Sequence, residues 1–182
     1  RILSSAASDV YKRQVRTSED WKSFTSAFLD DSFLIGYLMP EEYFYFVGEL
    51  RNFSKKQVDD FLTDFEDLFN NEILGGKKYI RDLSKGNQKK VGIVAALIGD
   101  PKVIILDEPF ANLDPTTQIR LKKIIKNLSK KEDVTVLVSS HDLQDVTEVS
   151  DRIVLLEKGL IIKDIKKTTK TLKDLESYFT KE

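Results

Sequence analysis

The sequence predicts an α/β fold, a parallel sheet with an inserted, mainly helical subdomain. Three patterns carry this expectation. From Pro101 onward, strand and helix patterns alternate, the order that a parallel sheet with crossover helices requires. Val103–Leu106 and Val134–Val138 are continuous apolar runs rich in β-branched residues, as expected of strands buried on both faces. Residues 38–98 instead place apolar side chains three and four apart, the helical period.

Each element follows from its residues. Phe24–Leu29 is a short apolar strand that runs into a loop at Asp30-Asp31. Pro40-Glu41-Glu42 opens a helix through Leu50, with Tyr43, Phe44, Phe46 and Val47 placed to cover an apolar face. Ser54-Lys55-Lys56-Gln57 has the S-x-x-Q pattern of a capping box. The helix it starts carries Val58, Phe61, Leu62, Phe65, Leu68 and Phe69 and is expected to stop at Gly75-Gly76. Asp114 can cap a further helix with Pro115 at its first position. Ile119, Leu121, Ile124, Ile125 and Leu128 follow along it. Lys130–Asp133 makes a polar turn before the second buried strand. The next helix carries Leu143, Val146 and Val149, and Ile153–Leu156 and Leu160–Ile162 flank Lys158-Gly159 as a hairpin. The lysines at 163, 166, 167, 170 and 173 form a solvated C-terminal surface.

Composition narrows the classes. With 182 residues and 41% hydrophobic content, the chain can build one ordinary core. Its 29 basic and 30 acidic residues leave a net charge of −1, which argues against a general nucleic-acid binder, so no nucleic-acid partner is expected. The absence of cysteine excludes a disulfide scaffold and thiolate metal sites, and fits a reducing compartment. Apolar runs such as Ile93–Ile98 fall far short of the roughly 20 residues that span a bilayer. No stretch reads as a signal peptide, and a soluble intracellular protein is expected. Arg1–Gln14 joins no periodic pattern, and Asp9–Gln14 resembles the translation of a transposon end used in sequencing libraries. It is expected to be non-native, with the natural chain extending upstream of Val15; an ordinary disordered terminus is the alternative.

The chemistry concentrates at strand ends. Asp107-Glu108 follows Val103–Leu106 at a C-terminal strand edge, where open α/β sheets place ligands. Nucleotide hydrolysis uses one carboxylate to hold Mg²⁺ and another to orient the attacking water. Adjacent carboxylates diverge as a strand ends, so both roles can be filled there. Taken alone, the string is equally a strand ending in an acidic turn. Leu83-Ser84-Lys85-Gly86-Asn87-Gln88 precedes a helix through Ile98; its hydroxyl, its glycine and the helix's free amides favour a phosphate. Standing alone, it is an N-capped helix start. His141, the only histidine, lies where the Val134–Ser140 strand exits and shares the sheet edge with Asp107 and Glu108.

In this order and spacing the motifs resemble those of the ATP-binding domain of ABC transporters, over roughly residues 22–165. Ser84-Lys85-Gly86 matches the signature loop, Asp107-Glu108 the Walker B motif, Ala111-Asn112-Leu113-Asp114 the D-loop and His141 the switch histidine. The resemblance implies a P-loop NTPase core of the ABC type, with ATP and Mg²⁺ as cofactors. It also implies a head-to-tail dimer with a second ATP-binding subunit, and a transmembrane permease partner. Residues 15–37 would be a remnant of core and Q-loop region, 38–100 a helical subdomain with the signature, 101–165 the core, and 166–182 a helical tail. In the implied dimer Ser84, Lys85, Gly86 and Asn87 face nucleotide held by the other subunit, and Asp114 organises the seam. Asp107 supports Mg²⁺, Glu108 polarises water and His141 meets the γ-phosphate. LSKGNQ departs from the common LSGGQ and resembles the form seen in ABC-2-type exporters, which points to export.

Two departures bear on activity. No G-x-x-x-x-G-K-[ST] occurs, so the phosphate-cradling P-loop is absent from these residues. A chain truncated upstream is expected; a natural protein that lost its P-loop is the rival. Such a chain is expected to bind ATP negligibly and to aggregate, because the Walker B strand would lack a neighbour. The Q-loop glutamine also has no glutamine counterpart. By spacing from Ser84, Asp30 fits that position better than Glu41 and becomes a second metal candidate. The aromatic run Phe33–Phe46 lies where the family docks its membrane partner, with Tyr43–Phe46 expected to serve the core and that interface on alternate residues. Chromosome-maintenance ATPases are set aside because no sustained heptads occur. A translation-associated ABC ATPase without a permease is the alternative function, and a non-hydrolysing regulatory domain is disfavoured by Asp107, Glu108 and His141. The expected location is cytoplasmic, on the inner face of the membrane.

Overall fold

The β-branched run at Val103 forms the central strand of a three-stranded parallel sheet. The computed structural model describes residues 18–180, so the expectation for Arg1–Gln14 lies outside the described residues. Strands β1 (Thr25–Phe28), β2 (Val103–Asp107) and β3 (Thr135–Ser139) lie in the order β1-β2-β3. Phe28 pairs with Leu106, Leu106 with Val138, and Asp107 with Ser139. Since all three strands run the same way, Asp30, Asp107-Glu108 and Ser139–His141 emerge at one edge of the sheet.

Two expectations about this sheet are corrected. β3 is not buried on both faces: Leu137 is 60% exposed, while Ile104 and Leu106 of β2 are each 1% exposed. β3, like β1, is an outer strand, and among the described residues nothing pairs with its far side. For the same reason the Walker B strand β2 has both neighbours, and the unpaired backbone belongs to the outer strands.

The residues between β1 and β2 are mainly helical, as the spacings require. Helix α1 (Pro40–Leu50) is followed by α2 (Lys55–Thr63), α3 (Glu66–Phe69) and α4 (Lys85–Leu97). Ser54 and Gln57 form the reciprocal cap, the Ser54 hydroxyl accepting from the Gln57 amide at 3.3 Å and the Gln57 side chain from the Ser54 amide at 2.9 Å. The long helix expected to reach Gly75 breaks near Phe65 and ends earlier, at Asn70, whose φ of 53° is left-handed. Asparagine tolerates that conformation and so can end a helix where glycine is not present. Phe65, Leu68 and Phe69 are nonetheless buried, so the apolar positions were correctly placed although the helix is divided.

Helix α4 lies directly on β1. A Cβ at Gly92 would stand 2.2 and 2.4 Å from the Phe28 ring, so glycine is what lets helix and strand approach. Beyond the sheet come α5 (Pro115–Leu128) and α6 (Leu143–Val149), then the antiparallel pair β4 (Arg152–Glu157) and β5 (Leu160–Lys166), and α7 (Thr171–Phe179). Leu121 and Ile125 carry the buried face of α5, whereas Ile119 is 68% exposed. Lys158 and Gly159, with φ of 46° and 79°, make the tight hairpin turn. Lys122 on α5 meets Asp145 at 2.8 Å and Glu148 at 2.7 Å on α6, fixing the two helices together. Among the described residues no helix is long and apolar enough to cross a membrane.

Candidate active site

The end of β2 turns sharply. Glu108 has φ 43°, a left-handed conformation uncommon outside glycine and asparagine. Its amide donates to the Ser139 carbonyl at 3.1 Å, which ties the turn to the exit of β3. The two adjacent carboxylates consequently diverge. Asp107 accepts a hydrogen bond from the Ser139 hydroxyl. Glu108 Oε1 accepts from the His141 amide at 2.9 Å and lies 2.8 Å from His141 Nδ1. The hydrogen bond to Glu108, and then its charge, hold the His141 pKa above the ordinary histidine value. The imidazole itself is 83% exposed, so its far nitrogen is open to a ligand.

The signature residues form a separate surface at the start of α4. Ser84 is exposed and caps the helix, its hydroxyl accepting from the Asn87 amide at 3.2 Å. The Asn87 side chain donates to Glu72 at 3.1 Å. A Cβ on Gly86 would lie 3.2 Å from the Asn112 carbonyl, so this glycine lets the signature loop approach the D-loop. Lys85 stands 3.7 Å from Asp31. Among the described residues no hydrogen bond joins Ser84 to Glu108 or His141. Glu108 and His141 thus meet, Asp107 turns to Ser139 at the same sheet edge, and Ser84–Asn87 present an edge of their own beside the D-loop.

The remaining candidates act locally. Asp114 caps α5, accepting from the Thr117 amide at 3.0 Å, and the Thr117 hydroxyl and amide bonds hold its carboxyl below the usual carboxylate range. Asp30 accepts from the Ser32 amide at 2.7 Å, which lowers its pKa in the same way. Asp31, which sequence reasoning passed over, turns inward with one carboxylate oxygen buried and unpartnered. Ser139 and Lys89 were also missed. A serine two positions before His141 on a strand, and a lysine one turn along the helix from Lys85, were the available signals. Among the described residues, no three His, Cys, Asp or Glu side chains gather to hold a metal unaided. Mg²⁺ ordinarily binds through one or two carboxylates with phosphates and water completing the shell, and Asp107 fits that demand. A cavity of about 260 Å³ lies against β1, between Tyr43 and Val47 of α1 and Gly92 of α4, and reaches Asp30 at its end.

The parallel sheet with an Asp-Glu pair at its C-terminal edge, a histidine on the glutamate and a serine-capped glycine loop beside it has the fold of a P-loop NTPase core. The family described as "AAA domain, putative AbiEii toxin, Type IV TA system" matches residues 42–144, more than half of the chain. The chain belongs to this AAA family and, within the class, to the ABC-type ATP-binding domains. It is 34% identical over 139 residues to an uncharacterized ABC transporter ATP-binding protein of Synechocystis sp., covering 70% of this chain and 39% of that protein. It is 36% identical over 137 residues to one from Methanocaldococcus jannaschii, covering 69% and 51%. The energy-coupling factor transporter ATP-binding protein EcfA2 of Staphylococcus epidermidis is 36% identical over 113 residues, covering 61% and 39%. The chain therefore spans about half the length of these relatives, or less. A solved structure, the dimeric post-hydrolysis state of the ATP-binding cassette MJ0796 bound to ADP and Pi, superposes with TM-score 0.65 at 22% identity, over 78% of this chain and 62% of that one. That likeness establishes the shared fold.

Proposed function

We propose that this chain is part of the ATP-hydrolysing subunit of an ABC transporter, which drives transport through a membrane permease from the cytoplasmic face. The observation that carries this reading is the Glu108 carboxylate held against His141 beside Asp107, at the edge where the fold binds ligands. Glu108 polarises the attacking water, His141 offers its exposed nitrogen to the γ-phosphate, and Asp107 is the carboxylate that would hold Mg²⁺. Bound Mg²⁺ would supply charge neutralisation on the phosphates. Asp30 or its neighbour Asp31 stands at the same edge for that charge. Ser84, Lys85, Gly86 and Asn87 contact the nucleotide of a second ATP-binding subunit across a head-to-tail seam, with Asp114 fixing the D-loop beside them. In this reading residues 38–100 serve as the helical subdomain and residues 101–165 as the core lobe. Export rests on Ser84-Lys85-Gly86 alone, and several relatives are named for import or uptake, of methionine and of glycine betaine.

Titration of Mg-ATP into the 182-residue chain is expected to show no stoichiometric binding, because these residues hold no P-loop. Binding of one ATP per chain would remove that expectation. The transport role is tested in an assembly that also supplies the phosphate-binding loop. ATP turnover there should respond to the presence of a permease. Turnover indifferent to every permease encoded nearby would favour the translation-associated class instead.

A further inference from the structure

Helix α4 carries three lysines near its start, and two of them are buried. Lys90 lies 3.9 Å from Glu72, and buried Lys122 on α5 pairs with Asp145 and Glu148. Lys89, 7% exposed, behaves differently. Its ammonium donates to two main-chain carbonyls, Glu108 at 2.8 Å and Ala111 at 2.9 Å. Among the described residues no carboxylate lies within ion-pair distance of it. Asp30, Asp31, Asp107 and Glu108 act on it only from further away, and burial pulls its pKa down. Burying an ammonium is costly unless its donors are satisfied, and two of its three are satisfied by this one turn.

The turn so gripped is the one that matters. It runs from Glu108 to Ala111 and begins with the left-handed φ of Glu108; one long bond closes it, from the Ala111 amide to the Glu108 carbonyl at 3.3 Å. The Glu108 amide to Ser139 and the Gln118 side chain to the Phe110 carbonyl, each at 3.1 Å, hold its other parts, and among the described residues Lys89 alone joins its two ends to α4. Left-handed backbone at a side-chain-bearing residue persists only where the surroundings enforce it. The geometry points to Lys89 as a positioning residue that clamps the Glu108–Ala111 turn and thereby aims the Glu108 carboxylate at His141. Because Lys89 sits on the helix that Ser84 caps, a displacement of the signature helix would be transmitted to Glu108 through these two bonds. The importance of that link rests on the function proposed above; the clamp itself does not.

The test needs no nucleotide. His141 is the only histidine, so a ¹³C-labelled imidazole reports one NMR titration curve from the whole chain. Wild type should titrate above the ordinary histidine value, and Glu108→Gln should lower the pKa toward it, with Asp142 and Asp145 still contributing. Lys89→Met should lower it too, by most of the fall seen in Glu108→Gln. Charge alone predicts the opposite sign, because removing a cation makes a neighbouring imidazole easier to protonate. A His141 pKa that is unchanged or raised in a folded Lys89→Met protein overturns the clamp. Should that variant fail to give a native circular dichroism spectrum, Lys89→Gln, too short to reach both carbonyls, is read by the same sign. If the pKa falls while no ATPase activity is found in any assembly, the clamp stands and the functional proposal fails.

Discussion

Glu108→Gln is expected to lower ATP turnover by about 10²- to 10⁴-fold in an assembly that binds ATP, the usual range for losing a positioned general base. The substitution keeps the shape of the side chain. A glutamine carbonyl can still accept from the His141 amide, which now bonds to Glu108 Oε1 at 2.9 Å, so the turn and the β3 exit should stay in place. What disappears is the negative charge, and with it the pull on the attacking water and the support for a protonated His141. ATP should therefore bind and remain uncleaved, and, on the head-to-tail arrangement proposed above, ATP-bound dimers should accumulate. Single-turnover kinetics with size-exclusion chromatography reads both effects. Turnover within a few-fold of wild type would show that Glu108 merely orients His141 and that the base lies elsewhere.

The parts of this site that could be read from the sequence are those carried by short-range chemistry. Val103–Leu106 reads as a buried strand, and the two carboxylates at its end gain meaning beyond an acidic turn only with the order of the other motifs; the contact between Glu108 and His141 then follows from β2 and β3 running parallel. Caps were equally legible, since Ser54, Ser84 and Asp114 each satisfy amides within three residues. Long-range pairings were not. Nothing local distinguishes Lys89, which reaches across to the Glu108 turn, from Lys90 beside it, which approaches Glu72. The exposure of β3 was misjudged because a β-branched run reports what a strand can bury, while its place in the sheet decides what it does bury. The break at Phe65 escaped notice for a related reason: apolar spacing continues across it, and only the left-handed Asn70 marks the end.

Phe44→Ala should produce the largest loss of stability of any single change considered, about 3–5 kcal/mol, as for other fully buried phenylalanines cut back to alanine. Phe44 is 0% exposed and its ring centre lies 5.8 Å from that of Phe69, which in turn faces Phe65 at 6.5 Å. Phe61 continues the series at 4.9 Å from Phe65. Helices α1, α2 and α3 are joined by these rings, so the space left by Phe44 cannot be filled without moving all three. Against a typical total stability of about 5–15 kcal/mol, such a loss would populate unfolded chains at ordinary temperature. The neighbouring Phe46 separates the two uses of the aromatic run. It is 42% exposed on the same helix, and Phe46→Ala should shift the denaturant midpoint only slightly. If instead both substitutions unfold the protein equally, the whole run belongs to the core and no part of it is left to meet a permease. If Phe44→Ala leaves the midpoint where it was, the helical layer does not depend on this cluster, and the packing of α4 on Phe28 through Gly92 must carry it.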